Sequence, residues 1–249
     1  MTSYLKLKNG GRIAYNKTEG ASPGIMFLGG FRSDMNGVKA LALEKFCKEQ
    51  GRAFLRFDYE GHGESSGKFE EGTIGKWKDN AMLALTKLTE GRQILVGSSM
   101  GGWIALLLAS QKPRRTAGVV GIAAAPDFTE IMLDRLKKTQ LRELEKKGRI
   151  MVATDAGDDY PVTRKFIEEA RGHLLLENGK IPINCPVRLL HGTKDTEVPW
   201  EVSLRINEKL ASEDVKTILV ENGTHTLSEP DSLKKIMSTL DKMIGWLRV

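Results

Sequence analysis

The sequence predicts one α/β domain with a mostly parallel central sheet and helices on both faces. Apolar segments typical of buried strands alternate with amphipathic segments of helical periodicity, and parallel strands require such crossover connections. The chain has 249 residues, of which 40% are hydrophobic and 28% charged, as in one large globular domain. The cysteines, Cys47 and Cys185, have no disulfide spacing, and the four histidines and two cysteines do not cluster at ligand spacing, so we expect no metal. No cofactor is implied either.

The predicted elements follow in order along the chain. A hairpin of residues 4–8 and 12–16, turning at Asn9-Gly10-Gly11, supplies one edge of the sheet. Six apolar segments predict the remaining strands, at residues 24–28, 53–57, 93–96, 117–124, 186–190 and 215–220. Amphipathic or apolar segments of helical length predict five helices, at residues 38–50, 74–88, 100–111, 200–210 and 231–247.

An insertion at about residues 127–181 interrupts this alternation. Two helical stretches, 128–147 and 162–171, occur there without a clear strand. They predict a helical cap over one end of the sheet, within a single domain of residues 1–249. Residues 130–150 carry a local net charge of +3 out of the total of +6. We interpret this as a solvated helix face, with attraction of an anionic substrate or membrane surface as the alternative, and we expect no nucleic-acid binding.

Neither a membrane span nor a secretory signal is predicted. The longest purely apolar stretch, residues 103–109, is too short to cross a bilayer, and residues 1–6 contain no apolar block. We therefore expect a cytoplasmic protein, with the mitochondrial matrix as the alternative if the chain is a processed form.

The strongest chemical signal is the sequence Gly97-Ser98-Ser99-Met100-Gly101, which joins a predicted strand to a predicted helix. A G-x-S-x-G turn in this setting holds its serine at strained backbone angles with the hydroxyl exposed, and its glycines leave space for neighbouring backbone. This pattern predicts that Ser99 is a nucleophile. An incidental serine in a glycine-rich turn is the alternative.

A serine nucleophile requires a histidine base and an acid that orients the histidine. Asp195 follows the predicted strand 186–190, and His225 follows the predicted strand 215–220. Since the carboxyl ends of parallel strands share one edge, both residues should lie near Ser99. We predict Asp195 as the acid and His225 as the base. Asp127, after the strand 117–124, is an alternative acid.

The other histidines are weaker candidates for the base. His191 precedes the acid and adjoins a strand end, so a buried structural role is expected. His62 lies in a predicted turn, and His173 lies in the predicted cap.

The reaction also needs donors for the oxyanion of a tetrahedral intermediate. We predict the backbone amide of Met100, which follows the nucleophile, and that of Phe31, in the loop 29–33 after the strand 24–28.

The cap offers a candidate acyl pocket. Its apolar residues Met132, Leu133 and Leu136 could line that pocket or could serve only to pack the cap.

The Gly-x-Ser-x-Gly turn, the order Ser99, Asp195, His225 and the strand–helix alternation together resemble the α/β-hydrolase superfamily over nearly the whole chain. Five further segments resemble one thioesterase branch of that superfamily: residues 35–47, 56–59, 94–103, 184–192 and 198–200. The resemblance implies an α/β-hydrolase fold and a serine hydrolase that removes S-palmitoyl groups from proteins or cleaves acyl glucuronides.

The predicted function is therefore hydrolysis of carboxylic esters or thioesters through an acyl-serine intermediate. The expected substrate is a small ester or thioester or an S-acylated protein. A serine peptidase or acyltransferase with the same triad remains open as an alternative, and so does a non-catalytic ligand-binding relative.

Overall fold

A computed structural model of the chain describes residues 1–153 and 159–247. The strands, in chain order, are β1 (Ser3–Lys6), β2 (Arg12–Thr18), β3 (Ala21–Leu28), β4 (Arg52–Phe57), β5 (Gln93–Ser98), β6 (Thr116–Ile122), β7 (Arg149–Val152), β8 (Tyr160–Thr163), β9 (Val187–Gly192) and β10 (Val215–Val220). The helices are α1 (Val38–Glu49), α2 (Ile74–Leu88), α3 (Met100–Gln111), α4 (Phe128–Arg135), α5 (Lys138–Lys147), α6 (Arg164–Ala170), α7 (Glu201–Lys209) and α8 (Pro230–Leu247).

The central sheet contains eight strands in the order β1-β2-β4-β3-β5-β6-β9-β10. Strand β2 runs antiparallel to β1 and β4, and every other neighbouring pair is parallel. The predicted edge hairpin, the parallel sheet and the α/β class are therefore confirmed. Because β5, β9 and β10 point the same way, the loops that follow them meet at one edge of the sheet.

Two apolar layers hold the helices against the sheet. Helices α1 and α8 pack on one face, and α2, α3 and α7 pack on the other together with the predicted cap region. Helix α3 is buried from Met100 to Ala109, which explains why its sequence is apolar on all sides. No helix in the described ranges is both long enough and apolar enough to span a membrane.

The region predicted as a helical cap contains a hairpin that the sequence interpretation missed. Strands β7 and β8 pair antiparallel, with Ile150 opposite Val162. Each strand has only four residues, too few to show a clear alternation of apolar and polar side chains. The helix expected at residues 162–171 therefore begins at Arg164, where the Thr163 hydroxyl accepts the N–H of Phe166 at 3.1 Å.

The other expected cap helix, residues 128–147, is two helices. Leu136 and Lys137 are extended, with ψ values of 138° and 151°, and they separate α4 from α5. The Gln140 side chain accepts the Lys137 N–H at 3.0 Å, which stabilises the new helix start. The region is thus a set of short elements, and its single-helix interpretation was wrong.

Two carboxylates hold the cap region in place. Asp127 links its two ends, and Glu169 links it to a helix that packs on the sheet. Asp127 accepts the backbone N–H groups of Leu175 and Leu176 at 2.8 and 2.7 Å, which joins the start of the insertion to a point near its end. Glu169 accepts the N–H of Gly75, at the start of α2, with both oxygens at 3.0 and 3.1 Å. The cap elements are thereby held over the sheet edge that carries Ser99.

Candidate active site

Ser99 occupies a strained turn between β5 and α3, as expected. Its φ of 53° and ψ of −120° are unfavourable for a residue with a side chain. A Cβ atom on Gly97 would lie 2.2 Å from the Gly101 carbonyl oxygen, and one on Gly101 would lie 2.1 Å from the carbonyl oxygen of Leu28. Only glycine fits at both positions, so the backbone can make the turn that presents the Ser99 hydroxyl.

The structure brings Ser99, His225 and Asp195 into one chain of hydrogen bonds. His225 Nδ1 lies 2.7 Å from Asp195 Oδ2, and His225 Nε2 lies 3.0 Å from Ser99 Oγ. A carboxylate can only accept, so Nδ1 carries the proton. Nε2 is then free to accept the Ser99 proton, which is the state that a general base requires.

The Asp195 carboxylate is completely buried yet remains ionised. Its Oδ1 accepts the N–H groups of Glu197 and Val198 at 2.9 and 2.8 Å, and its Oδ2 accepts from His191 at 2.9 Å as well as from His225. Burial alone would raise the pKa of the carboxyl. The hydrogen bonds, first from His191 and then from His225, outweigh burial and lower the pKa of Asp195 below its usual range.

The loops that carry the acid and the base are packed backbone to backbone. A Cβ on Gly192 would lie 2.2 Å from the Gly223 carbonyl oxygen, so glycine is required for this approach. That same oxygen accepts the N–H of Lys194 at 2.9 Å, and the hydroxyl of Thr193 accepts the N–H of Asn222 at 2.9 Å. These contacts fix the distance between the two loops independently of the triad side chains.

Asp127, the alternative acid, has a different environment. Both of its oxygens accept backbone N–H groups of the cap, and burial raises the pKa of its carboxyl. The contacts favour Asp195 as the partner of His225 and give Asp127 a structural task.

The two predicted oxyanion donors belong to segments next to Ser99. Met100 is the first residue of α3, so its N–H has no partner within that helix. A Cβ built on Gly30 would lie 3.4 Å from the Ser99 Cβ and equally far from the Ser98 carbonyl oxygen, which brings the loop containing Phe31 beside the nucleophile. The Met100 amide and the loop that contains Phe31 therefore both lie next to Ser99.

Two further contacts hold this loop, and sequence reasoning missed the first of them. The buried His62 accepts the Arg32 N–H with Nε2 at 3.3 Å, while its Nδ1 faces the Glu60 carbonyl oxygen at 3.4 Å. Burial lowers the pKa of His62 to about 4, so Nε2 stays available as an acceptor near neutral pH. The Phe31 ring also packs against five aromatic rings, from Phe69, Trp77, Phe128, Tyr160 and Phe166.

The three apolar cap residues Met132, Leu133 and Leu136 are half-buried. Met132 and Leu133 belong to α4 and Leu136 follows it, and all three pack against the main apolar core. The Ala125 N–H donates to the Ser99 carbonyl oxygen at 3.1 Å, so the chain enters α4 from a point beside the nucleophile. Within the described ranges, no three His, Cys, Asp or Glu residues cluster in a way that could hold a metal ion.

A serine on a strand-to-helix turn, within hydrogen-bonding distance of a histidine at the carboxyl edge of a mostly parallel sheet, is the arrangement of α/β hydrolases. The chain is a serine hydrolase of this class. A family model described as "Serine aminopeptidase, S33" matches residues 24–156.

Three relatives define the family more narrowly. Palmitoyl-protein thioesterase ABHD10, mitochondrial, from Homo sapiens is 41% identical over 247 residues, which cover 98% of this chain and 80% of the human protein. The structure of α/β-hydrolase domain-containing protein 10 from mouse matches with a TM-score of 0.93 and 40% identity, over 99% of both chains. The structure of a protein from Agrobacterium vitis S4 matches with a TM-score of 0.92 and 34% identity, over 98% of both chains. The chain belongs to the α/β-hydrolase family that includes ABHD10.

Proposed function

We propose that this chain cleaves acyl thioesters and esters through an acyl-serine intermediate, with Ser99 as nucleophile, His225 as general base and Asp195 as the orienting acid. The observation that carries the proposal is the unbroken set of hydrogen bonds from Asp195 Oδ2 through His225 to Ser99 Oγ. The strained angles of Ser99 support it further, since such strain persists where the surrounding structure enforces it and is common at active sites.

The proposed reaction has two halves. Ser99 Oγ attacks the carbonyl carbon while its proton passes to His225 Nε2, and the amides of Met100 and Phe31 donate to the oxyanion. The leaving thiolate or alkoxide takes the proton from His225, which leaves the acyl group on Ser99. Water then gives a proton to His225, attacks the acyl carbon and releases the acid, and Ser99 recovers its proton. Asp195 stays ionised throughout and stabilises the imidazolium.

The proposed substrate is an S-acylated protein or a small thioester or ester, with acyl glucuronides as a further class. The human and mouse relatives are named palmitoyl-protein thioesterases, which supports a long acyl chain. The half-buried Met132, Leu133 and Leu136 lie on and just after α4, the cap helix entered from beside Ser99, and they are our candidates for the acyl pocket.

The deciding experiment measures kcat/KM on matched thioesters and oxygen esters of increasing acyl length, with Ser99→Ala protein as the background. One buried methylene is worth about 0.8 kcal/mol, so kcat/KM should rise roughly fourfold per CH₂ until the pocket is full. A rise that extends to long-chain thioesters is expected. A maximum at short oxygen esters would contradict the long-chain assignment.

A variant pair locates the acyl chain. Leu133→Ala should flatten the dependence on chain length, because it removes apolar surface from the proposed pocket. Leu41→Ala, on the exposed side of α1, is the matched control and should leave the slope unchanged. Equal slopes in both variants would remove Leu133 from the pocket.

A peptidase is the second candidate, because the matching family model is described as an aminopeptidase. A peptidase should cleave aminoacyl anilides that have a free amino group at rates comparable to those for esters. Activity on esters alone would reject it, and acyl transfer to added alcohols would reveal an acyltransferase. A folded protein in which a fluorophosphonate fails to label Ser99 would instead be a non-catalytic relative.

For location, we propose the cytoplasm or the mitochondrial matrix. The names of the ABHD10 relatives, which include the word mitochondrial, support the matrix. Imaging of the tagged full-length protein in its own cells distinguishes the two.

A further inference from the structure

A second histidine, His191, contacts the carboxylate of Asp195. His191 is completely buried at the end of β9, and its Nε2 lies 2.9 Å from Asp195 Oδ2 and 3.1 Å from the Val198 carbonyl oxygen. Its Nδ1 lies 2.8 Å from the hydroxyl of Ser203 on α7, which is also completely buried. The ring therefore joins the strand, the acid loop and the following helix.

The partners determine where the His191 proton lies. The Asp195 carboxylate and the Val198 carbonyl can only accept, so Nε2 must carry the hydrogen. In the neutral imidazole Nδ1 is then an acceptor, and it takes the Ser203 hydroxyl hydrogen. The two acceptors at Nε2 thereby select the tautomer that donates to the acid, and the Ser203 hydroxyl, which can donate or accept, is compatible with it.

We propose that His191 is a positioning residue, which holds Asp195 Oδ2 where it can accept the hydrogen bond from His225 Nδ1. This inference rests on the proposed function, since it assumes that Asp195 and His225 perform the chemistry. The amides of Glu197 and Val198 hold Oδ1, so His191 is the second donor to the oxygen that His225 uses. Without His191 that oxygen keeps only the His225 hydrogen bond, and the orientation of the imidazole loosens with it.

The test compares His191→Gln with His191→Asn. Both side chains end in a carboxamide, but the longer Gln can bring its N–H to the position of Nε2, whereas Asn reaches only as far as Nδ1. The Asn variant should lose about 10- to 100-fold in kcat on a simple aryl ester, the range for one hydrogen bond to a charged group, with KM little changed. The Gln variant should recover most of the loss. Equal kcat in two folded variants would overturn the proposal.

A double-mutant cycle separates positioning from packing. In an Asp195→Ala background, His191→Asn should cause little further loss, because the group through which it acts is absent. An unchanged fractional loss in that background would mean that His191 acts elsewhere. The rate of Ser99 labelling by a fluorophosphonate provides the same comparison without reference to any substrate.

A measurement on the wild-type protein covers the case in which the variants fail to fold. Two-bond ¹H–¹⁵N spectra of histidine-labelled protein should show His191 as the Nε2–H tautomer. Finding the Nδ1–H tautomer would refute the proposal, since Nε2 could then not donate to Asp195. If the wild-type protein neither labels nor turns over esters, the proposed function fails. If it does both and the His191 results are negative, only this inference fails.

Discussion

Asp195→Asn tests the proposed triad most directly, and the structure dictates how the new amide must sit. Oδ1 faces two backbone N–H groups, from Glu197 and Val198, so the Asn oxygen belongs there. Turning the amide round would set its NH₂ against both donors and deprive the N–H groups of Glu197 and Val198 of their acceptor, and a buried donor left unpaired costs about 1–3 kcal/mol. The NH₂ group therefore takes the place of Oδ2 and faces His225.

The consequence is a change of tautomer at His225. The Asn NH₂ donates to Nδ1, the hydrogen moves to Nε2, and Nε2 can no longer accept the Ser99 proton. The wrong tautomer in a serine triad costs about 10⁴-fold in kcat, equivalent to about 5 kcal/mol of transition-state stabilisation. His191 Nε2–H also meets the new donor, so the free energy of unfolding should fall by about 1–3 kcal/mol.

The assay is kcat on an aryl ester, with thermal unfolding to verify the fold. Asp127→Asn is the matched control, because that carboxylate is buried and bonded to two cap amides. It should lower the melting temperature while leaving kcat within a few-fold of wild type. Near-normal turnover in Asp195→Asn, combined with a large loss in Asp127→Asn, would refute the reasoning and transfer the acid role to Asp127.

Three other predictions concern the framework of the site. Gly101→Ala should destabilise the fold by about 3 kcal/mol or more in chemical denaturation, since its Cβ would clash with backbone, whereas Gly172→Ala, with open space around its Cβ, should change it little. A large effect at both glycines, or at neither, would contradict this. Burial lowers the pKa of His62 to about 4. Between pH 6.5 and 4 the His62 side chain therefore binds a proton only in the unfolded chain. Its contribution makes the free energy of unfolding fall by about 1.4 kcal/mol per pH unit as the pH is lowered. His62→Gln should remove that part of the slope in urea titrations, and an unchanged slope would contradict it. Burial raises the pKa of Cys47 to about 12 and of Cys185 to about 11, so neither thiol should react with maleimide in the folded protein at pH 7.5. Both should react after denaturation, and rapid labelling of the folded protein would be the contrary result.

The elements outside the cap were predicted well from the sequence, because most of them are longer than those of the cap and show clear apolar patterns. The predicted helix 74–88 has the bounds of α2, and the other helices outside the cap agree to within one or two residues. The order Ser99, Asp195, His225 was also readable, since each residue follows a recognisable strand. The hydrogen bonds among them come from the sheet topology, which sets β9 between β6 and β10.

The cap and the supporting histidines could not be predicted in the same way. Strands β7 and β8 are four residues each, and the break at Leu136 and Lys137 contains neither glycine nor proline, so local signals were weak or absent. His191 was expected to be buried, and it is. Its contact with Asp195 depends on a loop that turns back within four residues, and the sequence does not show how that loop folds. The spacing His-x₃-Asp after a strand was the only available hint.

Backbone strain is concentrated at the edge of the sheet that carries the site. Among the described residues, those other than glycine with positive φ are Arg32, Ser99, Ala123, Asp127, Asn222 and Leu227. All six lie in loops that follow β3, β5, β6 or β10, on the edge where Ser99, Asp195 and His225 meet. Such conformations cost about 1–3 kcal/mol each for most residues, and they persist only where packing enforces them. Buried helix α3 and the close glycine contacts supply that packing. The rest of the fold thus stabilises an edge whose local conformations are unfavourable, which is expected where loops must hold reacting groups in fixed positions.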